Sequence, residues 1–260
     1  MDPIEEIASP EVVPHRLRVD AAHMHYRELN ARLREAVADG VSYIELHNIY
    51  GQRYLGTDLH RMVEIHIYGT PGNDLASFMD GPRIVVHGNA QDGCANTMNG
   101  GAVIVHGRAG DATGHSMRGG QVFIRDDVGY RVAIHMKEYQ DQRPVVVIGG
   151  TAQHFLGEYM AGGVLVVLGL TLRPGERHTA NFIGTGMHGG VMYIRGELDP
   201  SQLGKEVGQV PLEESDHRLL TALVDEFAAH FHASAHAILS EPFTKLVPLS
   251  LRPYGRLYAY

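Results

Sequence analysis

The chain has a single cysteine, Cys94, and no tryptophan in 260 residues. One thiol excludes an internal disulfide and any multi-cysteine zinc or iron–sulfur site. No window approaches the roughly 18 consecutive apolar residues of a transmembrane helix. Long Lys/Arg runs are missing too, and the net charge is -8. That balance argues against nucleic acid or an anionic membrane surface as the main partner. The opening stretch, MDPIEEIASPEVVPH, is acidic and proline-interrupted rather than basic and then apolar, so no secretory signal is expected. These absences together point to the cytoplasm.

Glycine, by contrast, is abundant, with 31 residues, and it recurs in register. Met79, Met98, Met117 and Met136 are each 19 residues apart, and Met160 and Met187 continue the series after gaps of 24 and 27. After the methionine come Gly100-Gly101, Gly119-Gly120, Gly162-Gly163 and Gly189-Gly190, and then a short apolar run such as VIVHG or VFIRD. A 19-residue unit is too short for a helix pair of about 34 residues, and the runs lack a 3.6-residue apolar period. It does fit one coil of a β-solenoid, with glycines turning the corners. The reading is an all-β solenoid, a right-handed parallel β-helix with short N- and C-terminal helices. Its parts are an N-terminal segment with a helix (1–44), the repeats (45–200), and a C-terminal helix with an extended tail (201–260).

Strand alternation orients the side chains. With Ile84, Val86, Val103, Val105, Val122 and Ile124 inward, an outward column runs through Val85, Ile104, Phe123, Val166 and Tyr193. That column is apolar, so something is expected to cover it, either the chain's own ends or another subunit. Two flanking helices are predicted. Residues 26–40 put Leu29, Leu33, Ala36 and Val37 on one face and stop at Gly40. Residues 216–239 put Leu219, Leu220, Leu223, Val224, Phe227 and Phe231 on another, with Ser215 or Asp216 as N-cap. The tail EPFTKLVPLSLRPYGRLYAY, broken by three prolines, reads as extended chain that docks on something.

Few residues of the chain fit a pattern that carries chemistry. The one Gly-Lys pair, Gly204-Lys205, is followed by Glu206, and Gly-Gly precedes a strand instead of opening a helix, so neither phosphate-loop pattern is met. His232 and His236 in HFHASAH have a helical i, i+4 spacing that can bind zinc, but no Glu completes a catalytic zinc motif. His87, His106 and Arg125 would stack in one column as an exposed or partner-facing ladder. Cys94 reads as a small buried corner residue, and Asp92 and Asp111 as turn residues at equivalent places in successive coils. No catalytic, cofactor-binding or metal-binding residue is assigned. The repeat breaks at DVGYRVAIHMKEY, where Lys137-Glu138 replaces Gly-Gly and QDQRP follows. Arg131, Lys137, Glu138 and Tyr139, with the apolar Ile104, Phe123 and Tyr193, are the candidate partner interface. Glu158 lies in the most glycine-rich corner.

The phrases NAQDGCANTMNGG, GRAGDATGHSMRGGQVFIR, DVGYRVAIHMKEY and FLGEYMAGGVLVVLG resemble the GXGXG family over about 45–196. That family includes the C-terminal domain of the glutamate synthase large subunit and the C subunit of formylmethanofuran dehydrogenase. The stretch DHRLLTALVDEFAAHFHASAHAILSEPFTKLVP resembles the closing helix of the former. The resemblance implies a mainly architectural β-helix that packs against glutamine amidotransferase and FMN/iron–sulfur synthase partners. No cofactor is expected in this chain; FMN and iron–sulfur clusters belong to the partners. A homo-oligomer through the apolar stripe is a further expectation. The alternatives are a formylmethanofuran-type scaffold in one-carbon metabolism and a solenoid enzyme with a groove site near Arg131, Lys137 and Glu138.

Overall fold

Each Val/Ile run pairs with the equivalent run one repeat away, and this stacking builds the molecule. The computed structural model describes residues 15–249. The acidic opening stretch and the end of the tail lie outside these residues. The strands are β1 (Arg16–Asp20), β2 (Tyr43–Tyr50), β3 (Glu64–Thr70), β4 (Arg83–Val86), β5 (Ala102–Val105), β6 (Gln121–Ile124), β7 (Val145–Ile148), β8 (Ala161–Val167), β9 (Gly189–Arg195), β10 (Val207–Val210) and β11 (Phe243–Pro248). The helices are α1 (Tyr26–Ala38), α2 (Glu214–Phe231) and α3 (Ala235–Leu239). β1 to β9 pair in parallel in chain order, and β11 and then β10 close the sheet antiparallel. The fold is a parallel β-solenoid.

Register aligns like with like. Ile84, Val103, Val122, Val146, Leu165 and Met192 are consecutive cross-strand partners, and all are fully buried. The Met column is equally buried, from Met79 through Met187. The ladder begins earlier than the 45–200 boundary predicts, because β1 pairs with β2 before the first repeat. α1 connects those two strands. Leu29, Leu33 and Val37 join the inner core, as their spacing predicts. Gly40, at φ +89, ends the helix: its N–H bonds the Val37 carbonyl while the Val41 N–H bonds that of Ala36.

The corners explain the rest of the repeat. The residues five, three and one before each Met have left-handed backbone. Before Met117 these are Ala112, Gly114 and Ser116; before Met136, Arg131, Ala133 and His135; before Met187, Phe182, Gly184 and Gly186. The alternation points successive amides in opposite directions along the rod. Ala112 and Ser116 donate to the following coil, at the Tyr130 and Ile134 carbonyls (2.8 Å each), and Gly114 donates to the preceding one, at Cys94 (2.7 Å). Corner amides thus bond neighbouring coils and form no phosphate cradle. The Gly-Gly pairs after Met98, Met117, Met160 and Met187 face the coil before them; a Cβ on Gly101 would lie 2.2 Å from the Pro82 carbonyl oxygen.

The predicted C-terminal helix is corrected in two ways. It starts at Glu214 with Glu213 as N-cap, and Asp216 folds back to accept the Glu213 N–H at 2.7 Å. It then breaks at His232, which is left-handed, and α3 restarts from a Ser234 cap. His232 and His236 therefore do not share a helix. Among the described residues no group of three or more His, Cys, Asp or Glu could hold a metal ion.

Candidate interaction surface

The outward side chains at the corners change character along the rod. In the early coils the positions five before Met are Asp74, Gly93 and Ala112; in the later ones they are Arg131, Phe155 and Phe182. The Phe155 and Phe182 rings stack at 4.9 Å and 10° between coils, and the Arg131 guanidinium lies 4.9 Å from the Phe155 centroid. One position before Met, His135 and Tyr159 stack at 5.3 Å and 8°. Phe182 and Tyr159 remain about half exposed. A left-handed non-glycine residue costs roughly 1–2 kcal/mol, and an exposed aromatic adds nothing to the core. Tyr54 and Phe78 on the early coils are likewise left-handed and partly exposed.

Arg131 and Glu158 are brought together. Nη1 donates to Glu158 Oε2 at 2.7 Å, and Glu158 is buried while Arg131 is half exposed. The Glu158 carbonyl also accepts from His135 N–H at 3.0 Å, so one residue braces both outward columns. The register break has different partners. Glu138 takes the place of a corner glycine, and its carboxylate accepts from Gly163 N–H at 3.1 Å and pairs with Arg143 at 3.2 Å. Tyr139 and Gln142 form a tight antiparallel bridge that carries the extra residues outward, with Tyr139 exposed. Lys137 is half-buried and its N–H donates to the Met117 carbonyl at 3.0 Å.

Ile104, Phe123 and Tyr193 are corrected as surface residues: all three are at most 1% exposed. Leu220, Leu223, Val224 and Phe227 of α2 lie over Phe123, Val147, Val166 and Tyr193. The chain covers its own apolar stripe. Tyr193 donates its hydroxyl to the Asp216 carboxylate at 2.5 Å, and Lys245 reaches the other oxygen at 2.6 Å. Burial, then the hydrogen bond to Asp216, pushes the Tyr193 hydroxyl well above its ordinary value. For Asp216, burial acts upward, but the Lys245, Tyr193 and Glu213 donors outweigh it and hold the carboxyl low.

The remaining candidates have structural roles. Asp92 and Asp111 each accept an N–H from the next coil, those of Asp111 and Tyr130, both at 2.9 Å. Asp127 repeats this with Thr151. These carboxylates splice coils and do not face each other across a substrate site. Cys94 is fully buried, which pushes its thiol up to about 12. His87 and His106 stack at 5.5 Å as predicted, and the column extends through Tyr68 to His47. The aromatic corner columns were missed from sequence; the signal was an aromatic at a fixed offset before Met, repeated in the last coils.

The GXGXG motif family matches residues 39–249 of the chain. The chain is also 48% identical over 248 residues to the uncharacterized protein MJ1350 of Methanocaldococcus jannaschii, covering 92% of this chain and 95% of that one. Glycine at alternate positions is what the left-handed corner residues accommodate most easily.

Proposed function

The chain belongs to the GXGXG family, and from that premise we propose a non-catalytic scaffold subunit of a glutamate-synthase-like complex. A glutamine amidotransferase and an FMN-containing, iron–sulfur-bearing synthase subunit are its partners, and glutamate or a related amino acid is the product of the whole. One observation carries this reading: corner amides, glycines and carboxylates are used in coil stacking, while Phe155 stacks on Phe182 and His135 on Tyr159 along the late coils. Such a molecule offers rigidity and a contact face. Its single buried, protonated thiol supplies no iron–sulfur ligand set, so any clusters sit on the partners. The match to nearly the whole of the Methanocaldococcus jannaschii protein supports a solenoid that serves as a chain of its own.

Affinity capture of the tagged chain from its native host tests the proposal. Recovery of an amidotransferase and a yellow flavoprotein, identified by mass spectrometry, is the expected result. Turnover of glutamine or of a polysaccharide by the purified chain alone would overturn it.

A further inference from the structure

The end of α2 is held differently from the rest of that helix. At its start, Asp216 is fixed by Tyr193 and Lys245, and beyond its end α3 is fixed by Arg195, whose Nε donates to the Ile238 carbonyl at 3.0 Å. Along the middle of α2, Leu220, Leu223, Val224 and Phe227 pack into the apolar cluster, and at its last turn imidazoles meet phenylalanine rings. His106 of the sheet meets the Phe231 ring edge-on at 5.1 Å, and His230 of the helix meets Phe123 edge-on at 5.0 Å. The His230 Nε2 is buried without a hydrogen bond, and His232 breaks the helix with a left-handed backbone.

We propose that Phe227–Ala233 forms a proton-operated flap, closed over Phe123 at neutral pH and lifted in mild acid. Behind His106 stands His87, and His87 shares a 2.9 Å nitrogen–nitrogen contact with His66, so three imidazoles are in series. Arg125 and His232 add positive charge near His106, and Arg83 does so near His230. The acids are fewer or already engaged. Glu64 holds His66 at 2.9 Å, Asp126 holds Arg125 at 2.9 Å, Glu45 acts on His87 from two strands away, and Glu226 is 3.7 Å from His230. Burial first, and the neighbouring positive charges second, keep His87, His106 and His230 less basic than a free imidazole. The sign follows. A base held below its ordinary 6.5 in the closed form takes up protons preferentially when the flap lifts, so closure is complete above pH 6.5 and weakens below it. The lifted flap uncovers Phe123, an apolar surface of the kind that docks a partner.

Hydrogen exchange of the full chain, followed by mass spectrometry at pH 7.5 and pH 5.5 and corrected for intrinsic rates, tests this. Exchange in 227–233 is expected to rise severalfold in acid, while β7 and β8 stay protected. The H106Q/H230Q variant is expected to show no such rise. Protection in 227–233 that is independent of pH, or a full response in that variant, overturns the flap. NMR titration of the histidine rings in the unaltered chain decides the matter even if the variant does not fold. Rings of His106 and His230 that titrate at or above 6.5 also overturn it.

Discussion

Replacing Gly101 by alanine should cost the solenoid far more than replacing Gly114, although both have positive φ, +89 and +72. For Gly114 the new Cβ would lie 3.2 Å from the Val146 Cγ2, a side-chain methyl that can shift slightly, and Ala95 and Ala133 occupy the same place in adjacent coils. Its cost is the left-handed penalty of roughly 1–2 kcal/mol, less about 0.4–1 kcal/mol regained by restricting the unfolded chain. A net loss of about 1 kcal/mol follows. At Gly101 the same terms apply, but the Cβ would stand 2.2 Å from the Pro82 carbonyl oxygen and 3.0 Å from the Gly81 carbonyl carbon. These are backbone atoms of the preceding coil, and no rotamer relieves them. Prising the coils apart adds a term at the upper end of ordinary overpacking, roughly 2–3 kcal/mol, for a total of about 3–4 kcal/mol. Urea unfolding followed by far-ultraviolet circular dichroism measures both, and the thermal midpoints should fall by about 2–4 °C and 6–16 °C. Equal losses would refute the argument that coil spacing imposes the Gly-Gly pair.

Asp216→Asn should cost about 3 kcal/mol in urea unfolding, because Lys245 would stay buried without its charge partner; adding Lys245→Met should recover part of that loss. Since the folded Asp216 carboxyl is held below 3.8, its contribution is present well above that pH and disappears as pH falls through and below it. Acid titration of stability in the parent and in Asp216→Asn should therefore converge at low pH. Phe227→Ala, which empties the site over Gly149 beneath α2, should cost about 3–5 kcal/mol and raise binding of a hydrophobic dye. Cys94, with its thiol pushed up to about 12, should resist a thiol reagent at pH 8 in the native chain and react promptly in denaturant.

The repeating part of the fold is legible in the sequence because a solenoid contacts mainly its own copies. A 19-residue spacing in Met and Gly-Gly translates directly into one coil, and strand alternation into the buried Ile84, Val103 and Val122 column. The unique contacts are harder. β1 joins the ladder with only five residues, RLRVD, and no glycine corner to announce it. The break of α2 at His232 removes no apolar periodicity, since the left-handed turn lets Ile238 of α3 return to the same cluster. Ile104, Phe123 and Tyr193 read as outward because strand geometry makes them so; that the chain's own helix lies over them is a long-range fact. The corner aromatics were hidden by substitution. Arg131, Phe155 and Phe182 occupy positions that hold Asp74, Gly93 and Ala112 in earlier coils, so their shared backbone conformation has no common side chain to reveal it.

The proposed role is that of a subunit that contributes structure and contacts to the assembly. Its most direct test is glutamine-dependent amino transfer by the captured assembly, measured with the chain removed and then restored. Coupled activity should vanish on removal, return with the parent chain or with Cys94→Ala, and return poorly with Phe155→Ala/Phe182→Ala. An undiminished rate without the chain, or turnover by the chain in isolation, would contradict it.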